Sequence, residues 1–359
     1  LHAPVQNFAS ADTDGAIGFI TAGRVPLRAK GDGFSPVAGA TGAGEWTGWV
    51  PFAKLPQMVN PKSGQIINAN NQVTGPKYPY RIATRWHEGY RARRIEEMLA
   101  ERPQVGADDL ARLQLDAHSL AAAELKELLE IPEGVSDQAA QAARMIANWD
   151  GTMDRDRPEP LIFNLWIDKL WQRLLADELG DDFAGLRAVR PRVLGEILTV
   201  NRHWCDDTTT DKPESCEELI AETLEASIAE LAARFPGKTI GQWRWGDLHQ
   251  ARFAHPLLGR LPLVDRLANS SLASDGDDFT INRGSFVPGL FTHVHGAGLR
   301  VVFDLADLDN SRFIIAGGQS GNPLSRHYLD LLPRWQDNQG LRLAKPAEGA
   351  ASILLEPSY

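Results

Sequence analysis

The stretch QNFASADTDGAIGFI, residues 6–20, places a short polar break between two runs that have the character of strands. The break contains Asp14-Gly15, and an Asp-Gly pair between strands is a strong signal for a tight hairpin turn. We therefore predict a β-hairpin with a type I′ turn. Asp12, Asp14 and Gly15 also resemble the start of an EF-hand calcium loop. The further acidic or Asn residue before the glycine and the closing glutamate of that motif are missing, so the turn is favoured.

Along the sequence, the residue composition and the predicted secondary structure change twice. Residues 1–85 are rich in Gly, Pro and Asn and contain short strand-like runs, such as GAIGFI and QIINAN. Residues 86–236 carry apolar side chains at helical spacing, and residues 237–359 return to a mixture of strands and short helices. This order predicts an α+β fold in which both outer segments join one sheet.

Particular runs carry these predictions. Helices are predicted in YRARRIEEMLAERP, DDLARLQLDAHSLAAAELKELLE, SDQAAQAARMIANWD, PLIFNLWIDKLWQRLLADEL and SCEELIAETLEASIAELAARF. Strands are predicted in LRVVFDL and SRFIIAGG, and a short helix in PLSRHYLDLLPRW.

Composition excludes two classes of partner. The 359 residues are 43% hydrophobic, which is enough for a substantial core, and the formal net charge is −10. The longest basic run is Arg93-Arg94, whereas nucleic-acid binding needs clustered Lys and Arg. No uninterrupted apolar stretch approaches the length of a membrane-spanning helix. We therefore expect neither a nucleic-acid partner nor a membrane span.

The chain has two cysteines, Cys205 and Cys216, in a polar region rich in Thr, Asp and Pro. A disulfide across this separation would close a short loop and would indicate a compartment outside the reducing cytosol. Two unpaired thiols are the alternative. Metal binding is the weakest interpretation, because CxxC spacing and a second pair of ligands are both missing.

The glycine-rich stretch GGQSGNPLSRHY, residues 317–328, raises the question of a serine nucleophile at Ser320. The nucleophile elbow has the pattern Gly-x-Ser-x-Gly, and here the second glycine comes one place early. Asn322-Pro323 suits the start of a helix better than an elbow. Ser325 and His327 lie two residues apart, and on a helix such side chains diverge. A glycine turn that caps a helix is the favoured interpretation.

Two further groups of residues are candidates for a site. His293 and His295 alternate, so on a strand they would share one face as two metal ligands do, but no third ligand follows nearby. Structural histidines are therefore favoured. Trp46, Trp49 and Phe52 predict an aromatic cluster, which either packs on the core or forms one wall of an apolar pocket. These features alone indicate an extracytoplasmic α+β globular protein and no particular activity.

Several stretches taken in order resemble the penicillin acylase family of N-terminal-nucleophile hydrolases. They are QNFASADTDGAIGFITAGRVPLR, GEWTGWVPFAKLPQMVNPKSGQIINANNQV, YRARRIEEML, QLDAHS, WGDLHQARFAHPL, HGAGLRVVFDL and GGQSGNPLSRHYLDLLPRW. The resemblance implies the αββα sandwich of that family and a hydrolase of linear amide bonds. It also implies export to the periplasm or secretion and a precursor activated by cleavage, and in such a compartment we predict a Cys205–Cys216 disulfide.

In this family the nucleophile is a serine that becomes the first residue of the β chain when the precursor cleaves itself. Leu1 is not a serine, so we expect this chain to be a C-terminal portion of a β chain, inactive alone. Its expected partners are an α chain and the nucleophile-bearing part of the β chain. Ser320 is then structural. No cofactor is expected for catalysis; some members hold a structural calcium, whose ligands lie largely outside this chain.

The resemblance assigns roles to two residues of this chain. Asn7 matches the family's oxyanion asparagine, whose side-chain amide donates to the charged tetrahedral intermediate. Arg28 matches the arginine that organises the site around the serine's amino group, which is the base for its own hydroxyl. A turn residue and a surface ion pair are the structural alternatives for Asn7 and Arg28.

Penicillins, cephalosporin side chains and acyl-homoserine lactones are the substrate classes that the resemblance brings. The residues of this chain do not indicate which of these classes is the substrate. Two other functions stay open. The first is that the chain is a non-catalytic binding or scaffold fragment. The second is that it belongs to a conventional serine hydrolase that uses Ser320.

Overall fold

The N-terminal part of the fold is built from short strands. The computed structural model describes residues 4–102, 104–130 and 133–343. The strands are β1 (Gln6–Ala11), β2 (Ile17–Ala22), β3 (Pro26–Arg28), β4 (Trp46–Trp49) and β5 (Gln57–Val59). Strand β2 lies between β1 and β5 in an antiparallel three-stranded sheet, and β3 pairs with β4 in a separate two-stranded sheet.

The predicted hairpin is confirmed, but its turn is not type I′. A type I′ turn needs positive φ at both central residues, and here only Gly15 has positive φ (86°). The backbone N–H of Gly15 donates to Asp12 O at 3.1 Å, and Asp12 Oδ1 accepts from the N–H groups of Asp14 and Ala16. The Asp12 carboxylate thus organises a longer turn, and the left-handed glycine is the residue that closes it.

The middle of the chain is helical, as the apolar periodicity predicts. Its helices are α1 (Tyr90–Ala100), α2 (Ala107–Leu113), α3 (Leu120–Lys126), α4 (Asp137–Asn148), α5 (Glu159–Leu179), α6 (Pro191–Thr199) and α7 (Cys216–Arg234). Helix α5 buries most of its apolar side chains and forms the centre of the largest core cluster. The indole N–H of Trp166 donates to Ile220 O at 3.0 Å and ties α5 to α7.

The C-terminal part mixes short strands and helices. Its elements are β6 (Gln250–Phe253), α8 (Asp265–Ala268), β7 (Ser270–Ala273), β8 (Gly284–Phe286), β9 (His293–Gly296), β10 (Leu299–Val302), β11 (Arg312–Ile315), α9 (Leu332–Gln336) and β12 (Leu341–Arg342). They form a four-stranded sheet in the order β7-β6-β9-β8 and a three-stranded sheet in the order β10-β11-β12.

The single sheet expected from the two strand-rich ends is not formed by the strands that the structure describes. Strands β1–β5 and strands β6–β12 pair only within their own segments. Every described strand pair is antiparallel except β6 with β9, and both members of each pair lie in the same segment. The α+β class holds, and the described strands of the two outer segments lie in separate sheets.

Two local predictions are wrong for the same physical reason. The run PLSRHYLDLLPRW is helical only at Leu332–Gln336, because Asn322 Oδ1 and Ser325 Oγ accept the backbone N–H groups of Leu324 and His327. The run QIINAN is not a strand, because Asn68 Oδ1 accepts the N–H of Asn70, whose φ is 61°. Short polar side chains that bond nearby backbone groups compete with helices and ladders.

Candidate active site

Asn7 lies on β1 and faces Thr21 on β2, its direct cross-strand partner. The hydroxyl of Thr21 donates to Asn7 Oδ1 at 2.7 Å, and Thr21 is only 2% exposed. The Nδ2 group of Asn7 makes no hydrogen bond within the described part of the chain, and the residue is half-buried. The site therefore presents an amide N–H donor whose carbonyl end is already held.

Arg28 ends β3, and its guanidinium lies over the ring of Trp46 on β4, with Cζ 5.8 Å from the ring centroid. Gly33 makes this position accessible, because a Cβ at that residue would lie 2.7 Å from Arg28 Cζ. No carboxylate pairs with Arg28 within 4.0 Å among the described residues, so the surface ion pair is not formed there. Arg28 and Asn7 belong to different sheets, and the described hydrogen bonds do not join them.

The aromatic cluster near Arg28 is open to solvent. The rings of Trp46 and Trp49 meet edge to face at 5.3 Å, and Arg24 lies over Trp49 at 5.5 Å. Trp46 is 58% exposed and Phe52 is 64% exposed. Within the described chain these rings form an open surface rather than a loop packed on the core.

Ser320 is engaged in a loop, and no base within the described ranges forms a hydrogen bond with its hydroxyl. Its Oγ accepts the N–H of Asn322 at 3.1 Å, and its own N–H donates to His327 O at 3.0 Å. The His327 ring bonds Asp330 through Nδ1 at 2.8 Å and accepts from Arg326 through Nε2. Both nitrogens of that imidazole are occupied, so the geometry agrees with a structural Ser320.

The two histidines of β9 do not share a face. His293 is 6% exposed, whereas His295 is exposed, because a register shift between Ser285 and Phe286 on β8 changes the pairing between them. The ring of His293 contacts Ser274 Oγ through Nδ1 at 2.9 Å. Within the described ranges no group of three His, Cys, Asp or Glu side chains is arranged to hold a metal ion.

His293 lies at the end of a buried stack of rings that the sequence did not indicate. His249 stacks between Trp245 (4.4 Å) and His293 (5.2 Å), and its Nδ1 donates to Phe291 O at 3.0 Å. Burial lowers the pKa of His249 to about 3 and that of His293 to about 4. Both imidazoles are therefore neutral at pH 7, and they pack in the buried interior beside this sheet.

Cys205 and Cys216 form a disulfide at the start of α7, which confirms the predicted bridge. Both residues are almost fully buried and belong to the helical core cluster, although the loop between them is polar. No helix in the described part of the chain is long and apolar enough to cross a membrane.

The elements above define an α+β protein that presents a half-buried asparagine amide on one sheet and an arginine-rich aromatic surface on another. The family model for penicillin amidase matches residues 1–348, so the chain belongs to the penicillin amidase family. The predicted resemblance is thereby confirmed.

Known relatives agree with this assignment. The chain is 32% identical to a penicillin acylase 2 proenzyme of Pseudomonas sp. strain SE83 over 92% of its own length. It is 28% identical to an acyl-homoserine lactone acylase of Pseudomonas putida over 93% of its length. In both cases it spans 43% of the relative, so it corresponds to less than half of each.

The fold is shared with a solved structure. A thermostable penicillin G acylase from Alcaligenes faecalis superposes with a TM-score of 0.66 over 99% of this chain and 69% of that chain. At 18% identity this likeness concerns the fold alone.

Proposed function

We propose that the protein containing this chain is an acylase that hydrolyses a side-chain amide through an acyl-serine intermediate. The serine would lie outside this chain, as the first residue of a β chain, and this chain would supply the oxyanion donor. Family membership and relatives that are named acylases support the reaction class. In this proposal the fold is part of an αββα sandwich completed by an α chain and the nucleophile-bearing part of the β chain.

The observation that carries the proposal is the Nδ2 group of Asn7, which has no hydrogen-bond partner among the described residues. Attack of the serine Oγ on the amide carbonyl turns the carbonyl oxygen into an oxyanion, and a donor fixed in advance stabilises it. Collapse of this intermediate breaks the C–N bond, and the leaving amine takes the proton removed from the serine. Water then hydrolyses the acyl ester and releases the carboxylic acid. A short, half-buried amide held on a strand suits this role, because it has little freedom to lose.

Arg28 would support the base rather than contact the oxyanion. A terminal serine uses its own α-amino group as the base, and that amine must be neutral to accept a proton. A guanidinium nearby disfavours protonation of the amine, since like charges repel. The absence of a carboxylate partner for Arg28 in the described part of the chain leaves its charge available for this effect.

The substrate class follows from the chemistry that the relatives' names share. Penicillins and acyl-homoserine lactones each carry an acyl group on a secondary amide, and the amine side bears a ring. We propose such N-acyl compounds as substrates, and a periplasmic or secreted location, with which the Cys205–Cys216 disulfide agrees. Fractionation of the source cells checks the location, and recovery of the mature protein only from the cytosol would contradict it.

The experiment uses protein expressed from the complete reading frame that contains this chain. Steady-state kinetics are measured with penicillin G and with N-hexanoyl and N-dodecanoyl homoserine lactones. Asn7→Ala is expected to lower kcat about a hundred- to a thousand-fold and to leave KM within a few-fold, because the donor acts in the transition state. Arg28→Ala is expected to move the acidic limb of the kcat/KM profile to higher pH, because it removes a charge that lowers the pKa of the amine, which must be deprotonated to act as the base.

Ser320→Ala is the matched control and is expected to retain activity. Intact mass spectrometry after brief mixing with substrate locates the acyl group, and thermal melting checks folding. Processed, stable Asn7→Ala enzyme with normal kcat would remove Asn7 from the mechanism. Loss of the acyl adduct in Ser320→Ala would favour the serine hydrolase that uses Ser320, and complete inactivity of the wild-type protein would favour the scaffold function.

A further inference from the structure

We infer that Thr21 is a positioning residue that fixes which end of the Asn7 amide faces the developing oxyanion. The inference rests on the proposed function, because it assigns a role toward the same oxyanion. An asparagine amide has a donor end and an acceptor end of nearly equal size. Rotation of the amide by half a turn would present Oδ1 to the oxyanion, and two negative oxygens would then face each other.

The sheet explains why these two side chains meet. The backbone N–H of Thr21 donates to Pro56 O at 2.9 Å, on the side of the strand away from β1. Asn7 and Thr21 are therefore a non-hydrogen-bonded cross-strand pair, the type in which facing side chains come closest. The distance of 2.7 Å between Thr21 Oγ1 and Asn7 Oδ1 is the consequence.

The chemistry of the contact selects one amide orientation. A hydroxyl has one proton to donate, and the hydrogen bond described for the proton of Thr21 is the one to Asn7 Oδ1. The acceptor end of the amide is held by that proton, so Nδ2 is turned away from Thr21. Because Thr21 is 2% exposed, water does not easily replace the hydroxyl when it is removed.

The test is Thr21→Val in protein from the complete reading frame, with penicillin G as the substrate where it is turned over. If the acyl-homoserine lactones are turned over instead, N-dodecanoyl homoserine lactone is used. Valine keeps the shape of threonine but lacks the hydroxyl, so we expect kcat to fall on the order of tenfold while KM changes less than about threefold. Thr21→Ser keeps the hydroxyl and should restore kcat. Thr223→Val, at another buried threonine that bonds a helix carbonyl, is the matched control and should leave kcat unchanged.

A double-mutant cycle separates positioning from a general structural effect. In an Asn7→Ala background, Thr21→Val should cause no further loss of kcat, because no amide remains to be oriented. A full additional loss in that background, or normal kcat in folded Thr21→Val, would overturn the inference. If Thr21→Val does not fold, Thr21→Ala is used in the same cycle.

The cycle also distinguishes this inference from the proposed function. If Asn7→Ala is inactive and Thr21→Val is normal, only the positioning role is lost. If folded Asn7→Ala has normal kcat, the oxyanion assignment of Asn7 itself is lost.

Discussion

At the scale of single residues, the polar groups of the two strand-rich segments differ in how they are satisfied. The side-chain carbonyl of Asn7 accepts a hydrogen bond from the Thr21 hydroxyl, and its Nδ2 group has no partner among the described residues. This arrangement is suited to binding. His249 is the opposite case, since its ring is fully buried and only Nδ1 has a partner in the described structure. A buried imidazole with one unpaired nitrogen is held in its neutral form by burial.

This state of His249 predicts a loss of stability in mild acid. Its folded pKa of about 3 lies below the ordinary 6.5, so the unfolded chain binds a proton first as the pH falls. The stabilisation is complete above pH 6.5 and decreases toward the folded pKa, at about 1.4 kcal/mol per pH unit for one imidazole. His249→Phe should lower stability at pH 8 and weaken its pH dependence between pH 6.5 and 4 by about one proton.

Urea unfolding at several pH values measures this difference, and exposed His295→Gln is the control. Asp277 acts in the opposite sense, because burial raises its pKa to about 6 and its contribution is lost as the pH rises through that range. The contribution of Asp277 to the pH dependence is the same in wild type and in His249→Phe, so it cancels in the comparison. Equal slopes for His249→Phe and wild type would contradict the assignment.

At the scale of elements, the start of α7 is fixed by two independent devices. Ser215 and Glu218 form a capping box, in which each side chain accepts the other residue's backbone N–H. One residue further on, the disulfide joins Cys216 to Cys205 in the preceding short helical turn. The helix that packs against α5 therefore begins at a defined position.

Removal of this disulfide should destabilise the helical core without changing the fold. The chain-entropy estimate for a loop of this length is roughly 2–3 kcal/mol. The double variant Cys205→Ala/Cys216→Ala should lose about that much free energy of unfolding in urea. Reductant should lower the stability of the wild type to a similar extent and leave the double variant unaffected. Equal stability of the oxidised wild type and the double variant would rule the prediction out.

At the scale of the whole molecule, apolar surface is distributed unevenly. Strand register places Phe8, Ile20 and Val59 toward one face of the three-stranded sheet, and Phe8 and Val59 are 47% and 76% exposed. The helical segment instead buries its large side chains, among them Trp149 and Trp166. An exposed apolar sheet face is a surface that other protein normally covers.

We expect the isolated chain to self-associate through this face. Val59→Lys should increase the monomer fraction, because it places a charge on the exposed apolar face and removes little packing. Light scattering coupled to size exclusion measures the effect. Val200→Lys is the control, since Val200 is 78% exposed but lies at the end of α6. The same shift in both variants would show that added charge alone was responsible.

The sequence determined the features that depend on local pattern. Apolar periodicity predicted α5 and α7, and Asp14-Gly15 predicted the hairpin, because helix spacing and turn residues act over a few positions. Cysteine spacing allowed the bridge, and the ordered resemblance selected Asn7 and Arg28. The sequence did not indicate α6, whose short amphipathic run is stabilised by packing.

Tertiary structure alone decided the remaining features. The partner of Asn7 is fourteen residues away, and only the register of β1 against β2 brings Thr21 to it. The register shift on β8 separates His293 from His295, and two distant segments meet in the stack of Trp245, His249 and His293. These contacts depend on strand pairing and burial between segments, which residue types in a local window do not specify.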